Sequence, residues 1–321
     1  MTQEAFAKLA ITKCEGPTKG RAPISTKPIV VTMGEERSEL TPSRHEQSAV
    51  ASFAKASHIV VLVAYDGTSY FGWQKTCHGP SIEGELERVI RQIFQQPITL
   101  QAASRTDRGV HAAGQVVDFF ISKNVMDYRR LTISLNQLLP PDIRCLKVAS
   151  APHHFHPTLD VLRKRYRYLI STGPVQLPIH RFTHWHVHGS FNRDLLTQSA
   201  SLLLGTHDCR GLCNRRADLD EENTVRTIFS INIEEDEQQQ TMSICIEADH
   251  FLYKMARNIV GTMMWVAQGR IPLSAISEAL ITRKRAFAGV TAPAHGLCLD
   301  HVFYPTDLFD ASSSPIGPVK E

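Results

Sequence analysis

The sequence predicts an α/β chain of the mixed α+β kind, built from two similar β-α-β-β-α-β units of the ferredoxin-like type. Three observations carry that expectation. Short apolar runs bounded by turn residues alternate with stretches of helical periodicity. Residues 58–149 order these elements as strand, helix, strand, strand, helix, strand. The second half repeats the order loosely, with insertions.

Each element has a local reason. HIVVLVAYDGT, residues 58–68, is an apolar run closed by Asp66-Gly67, which reads as a buried strand and a turn. Ile82, Leu86, Val89, Ile90, Ile93 and Phe94 recur at helical spacing; Ser81 can cap that helix and Pro97 lies past its end. ITLQAAS reads as a strand, RTDRGVHAAG as a loop with two glycines, and QVVDFFI as another strand. Asp127 to Leu139 is helical, closed by Pro140 and Pro141, and IRCLKVA is a strand. In the second half RYRYLIST is a strand and THWHVH a short inserted one. Arg193 to Leu204 is a helix ending at Gly205, and VRTIFSINI and TMSICIEA are strands. Helices over Phe251–Ala267 and Leu273–Ile281 precede a last strand, GLCLDHVFY.

These elements divide the chain into an N-terminal unit over 58–155, which carries the RTDRGVH loop, and a C-terminal unit over 156–305. Residues 1–57 show no sustained periodicity and are interrupted by Pro17, Pro23, Pro28 and Pro42, so they read as a flexible extension; residues 306–321 read as a flexible tail. Where two sheets of one type meet, a cleft is expected, and clefts between units are where sites are built.

Composition narrows the class. Hydrophobic residues are 42% and charged residues 21%, which excludes a mainly disordered chain, a collagen and a coiled coil. No stretch approaches ~18 uninterrupted apolar residues, so no membrane span is expected. The N-terminus places Glu4 and Lys8 where a signal peptide needs an apolar core, so the cytoplasm is the expected location. Six acidic residues in 1–57 argue against a transit peptide. The net charge is +3, of which residues 1–57 hold +2 and the remainder +1. Affinity for nucleic acid must then come from local patches, and Arg163, Lys164, Arg165 and Arg167 with Tyr166 and Tyr168 form one. Seven cysteines, an odd number at irregular spacing, suit a reducing compartment rather than a disulfide framework.

Three segments offer chemistry. Asp107 stands between Arg105 and Arg108 in a loop on a rigid scaffold, and a carboxylate kept ionised by nearby cations can act as a nucleophile. It could equally cap backbone N–H groups. The helix after Phe251 is apolar on every side except Arg257, and a buried Arg needs a carboxylate or phosphate partner. Asp107 is a candidate for that partner, either in a working site or in a salt bridge that only fixes packing. On the strand after Arg163, Arg163, Arg165 and Arg167 face one way; Lys164, Tyr166 and Tyr168 face the other. Tyrosine can stack on an unpaired base while Arg and Lys hold phosphates, although core tyrosines under a solvated basic face give the same pattern. His184, His186 and His188 share a strand face without an accompanying acidic or cysteine ligand, so no metal site is expected. No Walker loop occurs, and no G-x-G-x-x-G follows a strand.

Together these segments resemble the tRNA pseudouridine synthase A family. The resemblance rests on Tyr65-Asp66-Gly67-Thr68-x-Tyr70-x-Gly72-Trp73-Gln74 and on Arg105-Thr106-Asp107-x-Gly109-Val110-His111-Ala112 followed by Gln115. It continues through Asn136-x-Leu138-Leu139-Pro140-x-Asp142-Ile143, Phe155-His156 and Arg165-Tyr166-Arg167-Tyr168. Met255-x-Arg257-Asn258-Ile259-Val260-Gly261 and Gly296-Leu297-x-Leu299 close the set, which runs in order from about His58 to Pro305.

The resemblance implies two α/β units whose sheets join into one antiparallel sheet flanked by helices, the pseudouridine synthase fold. It implies a homodimer that binds tRNA and isomerises uridine to pseudouridine at positions 38, 39 and 40 of the anticodon stem-loop. The family's nucleophilic aspartate matches Asp107, its active-site arginine Arg257 and its stacking tyrosine Tyr166. Arg105, Leu297, Arg163, Lys164, Arg165 and Arg167 are further candidates for substrate contact, Arg105 in the space a flipped base leaves. The reaction exchanges neither electrons nor atoms with a second substrate, so no cofactor is expected. Attack at C1′, attack at C6 and a glycal route all start from the carboxylate, and the sequence does not choose among them. Ser104 stands where the family commonly has glycine, Thr158 where it has arginine, and Cys298 where it has tyrosine. The rival readings are a tRNA-binding protein of the same fold without catalysis, a metal-dependent hydrolase, and the same chemistry on another RNA. Removal of residues 1–55 is expected to leave the melting temperature and activity of the remaining chain within error. A fall of several degrees would show that the extension belongs to the fold.

Overall fold

A computed structural model describes residues 56–122, 125, 127–214 and 223–309. Almost all of the expected extension (1–57) and most of the expected tail (306–321) lie outside the described residues. Ten strands form one sheet: β1 (Ser57–Tyr65), β2 (Gln101–Ala102), β3 (His111–Ile121), β4 (Ile143–Ser150), β5 (Arg163–Ser171), β6 (Trp185–His186), β7 (Gly205–Asp208), β8 (Val225–Asp236), β9 (Thr241–Ala248) and β10 (Leu297–Phe303). Five α-helices accompany them among the described residues: α1 (Ile82–Phe94), α2 (Tyr128–Leu138), α3 (Arg193–Leu203), α4 (Met255–Ala267) and α5 (Ser274–Thr282). The expected mixed α+β class holds.

The sheet runs β4-β1-β3-β10-β5-β9-β8-β7, with β2 paired to β3 and β6 to β5. Neighbours are antiparallel except at β6 on β5 and at the centre. There, β10 runs parallel to β3 through Cys298 opposite His111 and Leu299 opposite Ala112. The last described strand is therefore the seam between the halves, antiparallel to β5 on its other side.

Helix α1 forms as its spacing predicts. The Ser81 hydroxyl accepts from the Gly84 N–H at 3.2 Å, and Gln95 ends the helix in a left-handed conformation at φ 54°. Its buried face is Ile82, Leu86, Val89, Ile90 and Phe94. Helix α4 is buried on nearly every side, as an all-round apolar helix must be. It starts at Met255 rather than at Phe251, because Lys254 takes φ +60° and breaks the helical path.

Other boundaries differ for identifiable reasons. Ile98 and Leu100 bury their side chains without joining a ladder, so only Gln101–Ala102 of the expected ITLQAAS strand pairs. β3 begins at His111 instead of Gln115 because residues 111–112 pair with β10, a long-range partner invisible to local periodicity. β7 was not expected: Gly-Thr-His-Asp has no apolar alternation and pairs only along the sheet edge, with β8.

Gly261 sets how closely α4 approaches the segment leading to β10. A Cβ there would lie 1.8 Å from the Val290 carbonyl oxygen. The obstacle is backbone and cannot rotate away. Gly261→Ala is expected to lower stability by about 1–3 kcal/mol or more, the range for forced overpacking. Urea denaturation checks this; an unchanged midpoint would mean that α4 and residues 289–292 move apart freely.

Candidate active site

The β2–β3 loop is held from three sides. Below it, Gln115 is fully buried; its Oε1 accepts from the Ser104 N–H at 3.2 Å and its Nε2 donates to the Ser104 carbonyl at 2.6 Å. Beside it, the Tyr65 and Thr106 hydroxyls are 2.8 Å apart, and the Trp73 N–H donates to the Thr106 carbonyl at 3.0 Å. Gly72, at φ +98°, lies so near that a Cβ would stand 2.7 Å from the Thr106 oxygen. Gly67 faces the Val110 carbonyl even more closely, at 2.0 Å for the same hypothetical atom. Within the loop, Gly109 takes φ +78° and the Val110 N–H donates to the Asp107 carbonyl at 3.1 Å. The glycines of the 65–74 segment thus serve as the close-packing surface for the loop that presents Asp107.

His111 ties in the remaining segments. Its Nδ1 accepts from the Gly67 N–H at 3.1 Å, while its Nε2 donates toward the Phe182 and His295 carbonyls at 2.9 and 3.0 Å. Those three bonds require the Nε2–H tautomer.

Asp107 and Arg257 meet across 150 positions of sequence. Arg257 Nη1 donates to Asp107 Oδ2 at 3.0 Å, and Arg257 Nε donates to the Ala292 carbonyl at 2.7 Å. The Ala292 N–H in turn bonds the Arg257 carbonyl at 3.1 Å. Their side chains keep 24% and 13% of their accessible surface, so the pair is shielded but opens onto a cleft.

The cleft has a volume of about 1010 Å³. Among the described residues, seven in its wall are Lys or Arg, and Asp107 is the one carboxylate. A chain with +3 overall therefore concentrates cations here. Tyr166 and Phe251 lie in the wall, edge to face at 4.8 Å, and the Tyr166 hydroxyl is 2.9 Å from Ser104 Oγ. Burial pushes the Tyr166 phenol up to about 12, so it stays protonated near neutral pH.

Of the other expected contacts, Arg105, Lys164 and Leu297 line the cleft. Arg163, Arg165 and Arg167 do not. Strand alternation sends them to the opposite face, where Glu247 pairs with Arg163 at 3.4 Å and with Arg165 at 2.5 Å, and Asp300 pairs with Arg167. Sequence reasoning missed the clamp residues Gln115, Thr106 and Ala292 as structural actors, and missed Arg226, His250 and Lys254 in the wall. None of the last three sits in a patterned motif. Ser104 departs from the commoner glycine and adds a hydroxyl against Tyr166. Thr158 lines the cleft but spends its hydroxyl on the Ala102 carbonyl at 2.8 Å. Among the described residues no group of three or more His, Cys, Asp or Glu side chains is placed to hold a metal, and no helix is long and apolar enough to cross a membrane.

A carboxylate beside an arginine at the wall of a cationic cleft with aromatic side chains suits chemistry on nucleic acid. Comparison with known proteins makes the class specific. The family model described as tRNA pseudouridine synthase matches residues 61–159 and 199–305, and the chain belongs to that family. It is 43% identical over 258 residues to tRNA pseudouridine synthase A 2 of Protochlamydia amoebophila (strain UWE25), a match covering 80% of this chain and 98% of that one. It is also 38% identical to tRNA pseudouridine synthase A of Myxococcus xanthus, over 76% of this chain and 91% of that one. A third, in Thermoanaerobacter sp. (strain X514), is 34% identical over 77% and 99%. The activity is that of an isomerase forming pseudouridine in tRNA.

Tyr166 can be separated into ring and hydroxyl. Tyr166→Phe is expected to retain most activity while losing the Ser104 bond, at a cost of about 0.5–1.5 kcal/mol in stability. Tyr166→Leu removes the aromatic face and is expected to lower kcat/KM roughly ten- to a hundred-fold. Equal turnover in all three proteins would refute a stacking role.

Proposed function

We propose that the enzyme isomerises uridine at positions 38, 39 and 40 of the tRNA anticodon stem-loop, with Asp107 as the nucleophile. The observation that carries this reading is the 3.0 Å pair of Asp107 and Arg257 inside a cleft whose other charged wall residues, among those described, are cationic. The choice of uridines rests on the sequence resemblance.

The reaction breaks the bond from C1′ to N1, turns the uracil and rejoins it through C5. The C5 hydrogen is released and N1 gains one, so the product has the formula of the substrate. The carboxylate of Asp107 begins this by attacking the ring or the sugar, or by removing the 2′ proton. The Arg257 guanidinium, anchored on the Ala292 carbonyl, orients the carboxylate and offsets its negative charge when it is displaced from water. A uridine in a stacked stem must leave the stack, at a cost of a few kcal/mol, and an aromatic surface at Tyr166 offsets part of it. Arg105, exposed at the rim, fills the vacated space, and Leu297 supplies an apolar contact for the base. Lys164 is the member of the basic strand placed to touch RNA in the cleft. Arg163, Arg165 and Arg167 are placed to meet only RNA that reaches the opposite face. The enzyme acts as a homodimer in the cytoplasm, a reading supported by the resemblance and checked by light scattering at twice the chain mass.

Pseudouridine mapping on bulk tRNA incubated with wild type and with Asp107→Ala tests the proposal. New pseudouridine at positions 38–40 from wild type alone is expected, with tRNA affinity of the variant kept within several-fold. Product from the variant would remove Asp107 from its role. Product at other positions only would overturn the assigned target.

A further inference from the structure

Lys164 faces the cleft, and the reading above leaves open which part of the RNA it meets. It keeps 5% of its surface and has no hydrogen-bond or ion-pair partner among the described residues. Burial of an uncompensated ammonium is unfavourable, and chains seldom keep one without use. Its surroundings add to the cost. Arg226 and His250 line the same part of the wall. Burial, then the charge of Arg226, lowers the Lys164 ammonium to about 8. Burial, Lys164 and Arg226 lower His250 as well, with Asp249 opposing them. Asp249, next to His250 in sequence, is engaged by backbone: its Oδ1 accepts from the Thr227 and His250 N–H groups at 3.1 and 2.6 Å.

A second feature points the same way. The first turn of α4, Met255 to Arg257, also faces this cleft, and it has neither a side-chain cap nor an acidic residue. The positive end of a helix of 13 residues therefore adds to the three basic side chains. Among the described residues, no carboxylate pairs with Lys164 itself.

We propose that Lys164, with Arg226 and His250 around it, is the subsite for one backbone phosphate of the RNA, a phosphodiester beside the uridine that occupies the Asp107 site. The proposal rests on reading this cleft as the place where tRNA is modified. Lys164 and Tyr166 share a face of β5 two residues apart, about 6.8 Å at ~3.4 Å per residue. A nucleotide whose base meets Tyr166 thus has its backbone within reach of the Lys164 ammonium. The phosphate supplies Lys164 with the counter-charge that no described residue gives it, so that attraction is realised only when RNA is seated.

The test uses the full chain and anticodon stem-loop RNAs that each carry one neutral methylphosphonate. With wild type, one linkage next to the target uridine is expected to weaken binding about ten-fold, or about 1.4 kcal/mol. Lys164→Met is expected to bind unmodified RNA about ten-fold more weakly and to ignore the methylphosphonate at that linkage. Its slope of log affinity against log salt falls by about 0.7–0.9, one phosphate contact. Lys164→Arg restores the penalty, and Lys164→Gln serves if the Met variant does not fold. A wild-type scan with no sensitive linkage near the target overturns the proposal, as does an undiminished penalty in Lys164→Met. So does inorganic phosphate that binds at Lys164 while every linkage stays insensitive, which would make it a free-anion site. All readouts are affinities, so they stand apart from the Asp107→Ala product assay that tests the catalytic reading.

Discussion

Arg257 reaches from the first turn of α4 to a loop in the other half of the sheet, and most of the site depends on where that guanidinium sits. Its Nη1 holds Asp107 and its Nε holds the Ala292 carbonyl, so one planar group joins the loop, the helix and the segment that becomes β10. Geometry is set by directed donors here, which a lysine could not reproduce. Gly261, one turn further along α4, lets the helix settle against Val290 and so keeps Ala292 within reach of Arg257. The ion pair is thus a consequence of close helix packing as much as of charge.

The central seam gives that pair its frame. β10 enters between β3 and β5, parallel to one and antiparallel to the other. His111 opens β3 at the seam and bonds to Gly67, Phe182 and His295, three segments far apart in sequence. One buried imidazole therefore ties together segments from three distant parts of the chain. The same sheet sorts the basic strand by alternation. Its arginines pair with Glu247 and Asp300 on one face, while Lys164 and Tyr166 turn toward the cleft on the other.

Much of this was legible from local pattern. Period-two and helical spacing located β1, β5, β8, β9 and all five helices, and the Ser81 cap was readable from its side-chain chemistry. The loop at 104–111 and the alternation of residues 163–168 were readable too. The two-residue β2, the early start of β3 and the polar edge strand β7 were not, because each depends on a partner strand rather than on its own residues. The basic run illustrates the same limit. Composition suggested four RNA contacts, yet ion pairing with residues about 80 and 130 positions away engages three of them.

By itself the sequence determined the class of fold and the family, and it singled out Asp107, Arg257 and Tyr166 as candidates, because residue type and spacing encode periodicity and motif. Tertiary structure alone decided that Asp107 and Arg257 touch, that cations collect in one cleft of a nearly neutral body, and that Lys164 has no hydrogen-bond or ion-pair partner among the described residues. Those properties are distances between residues remote in the chain, and a distance of that kind exists only after the sheet has closed.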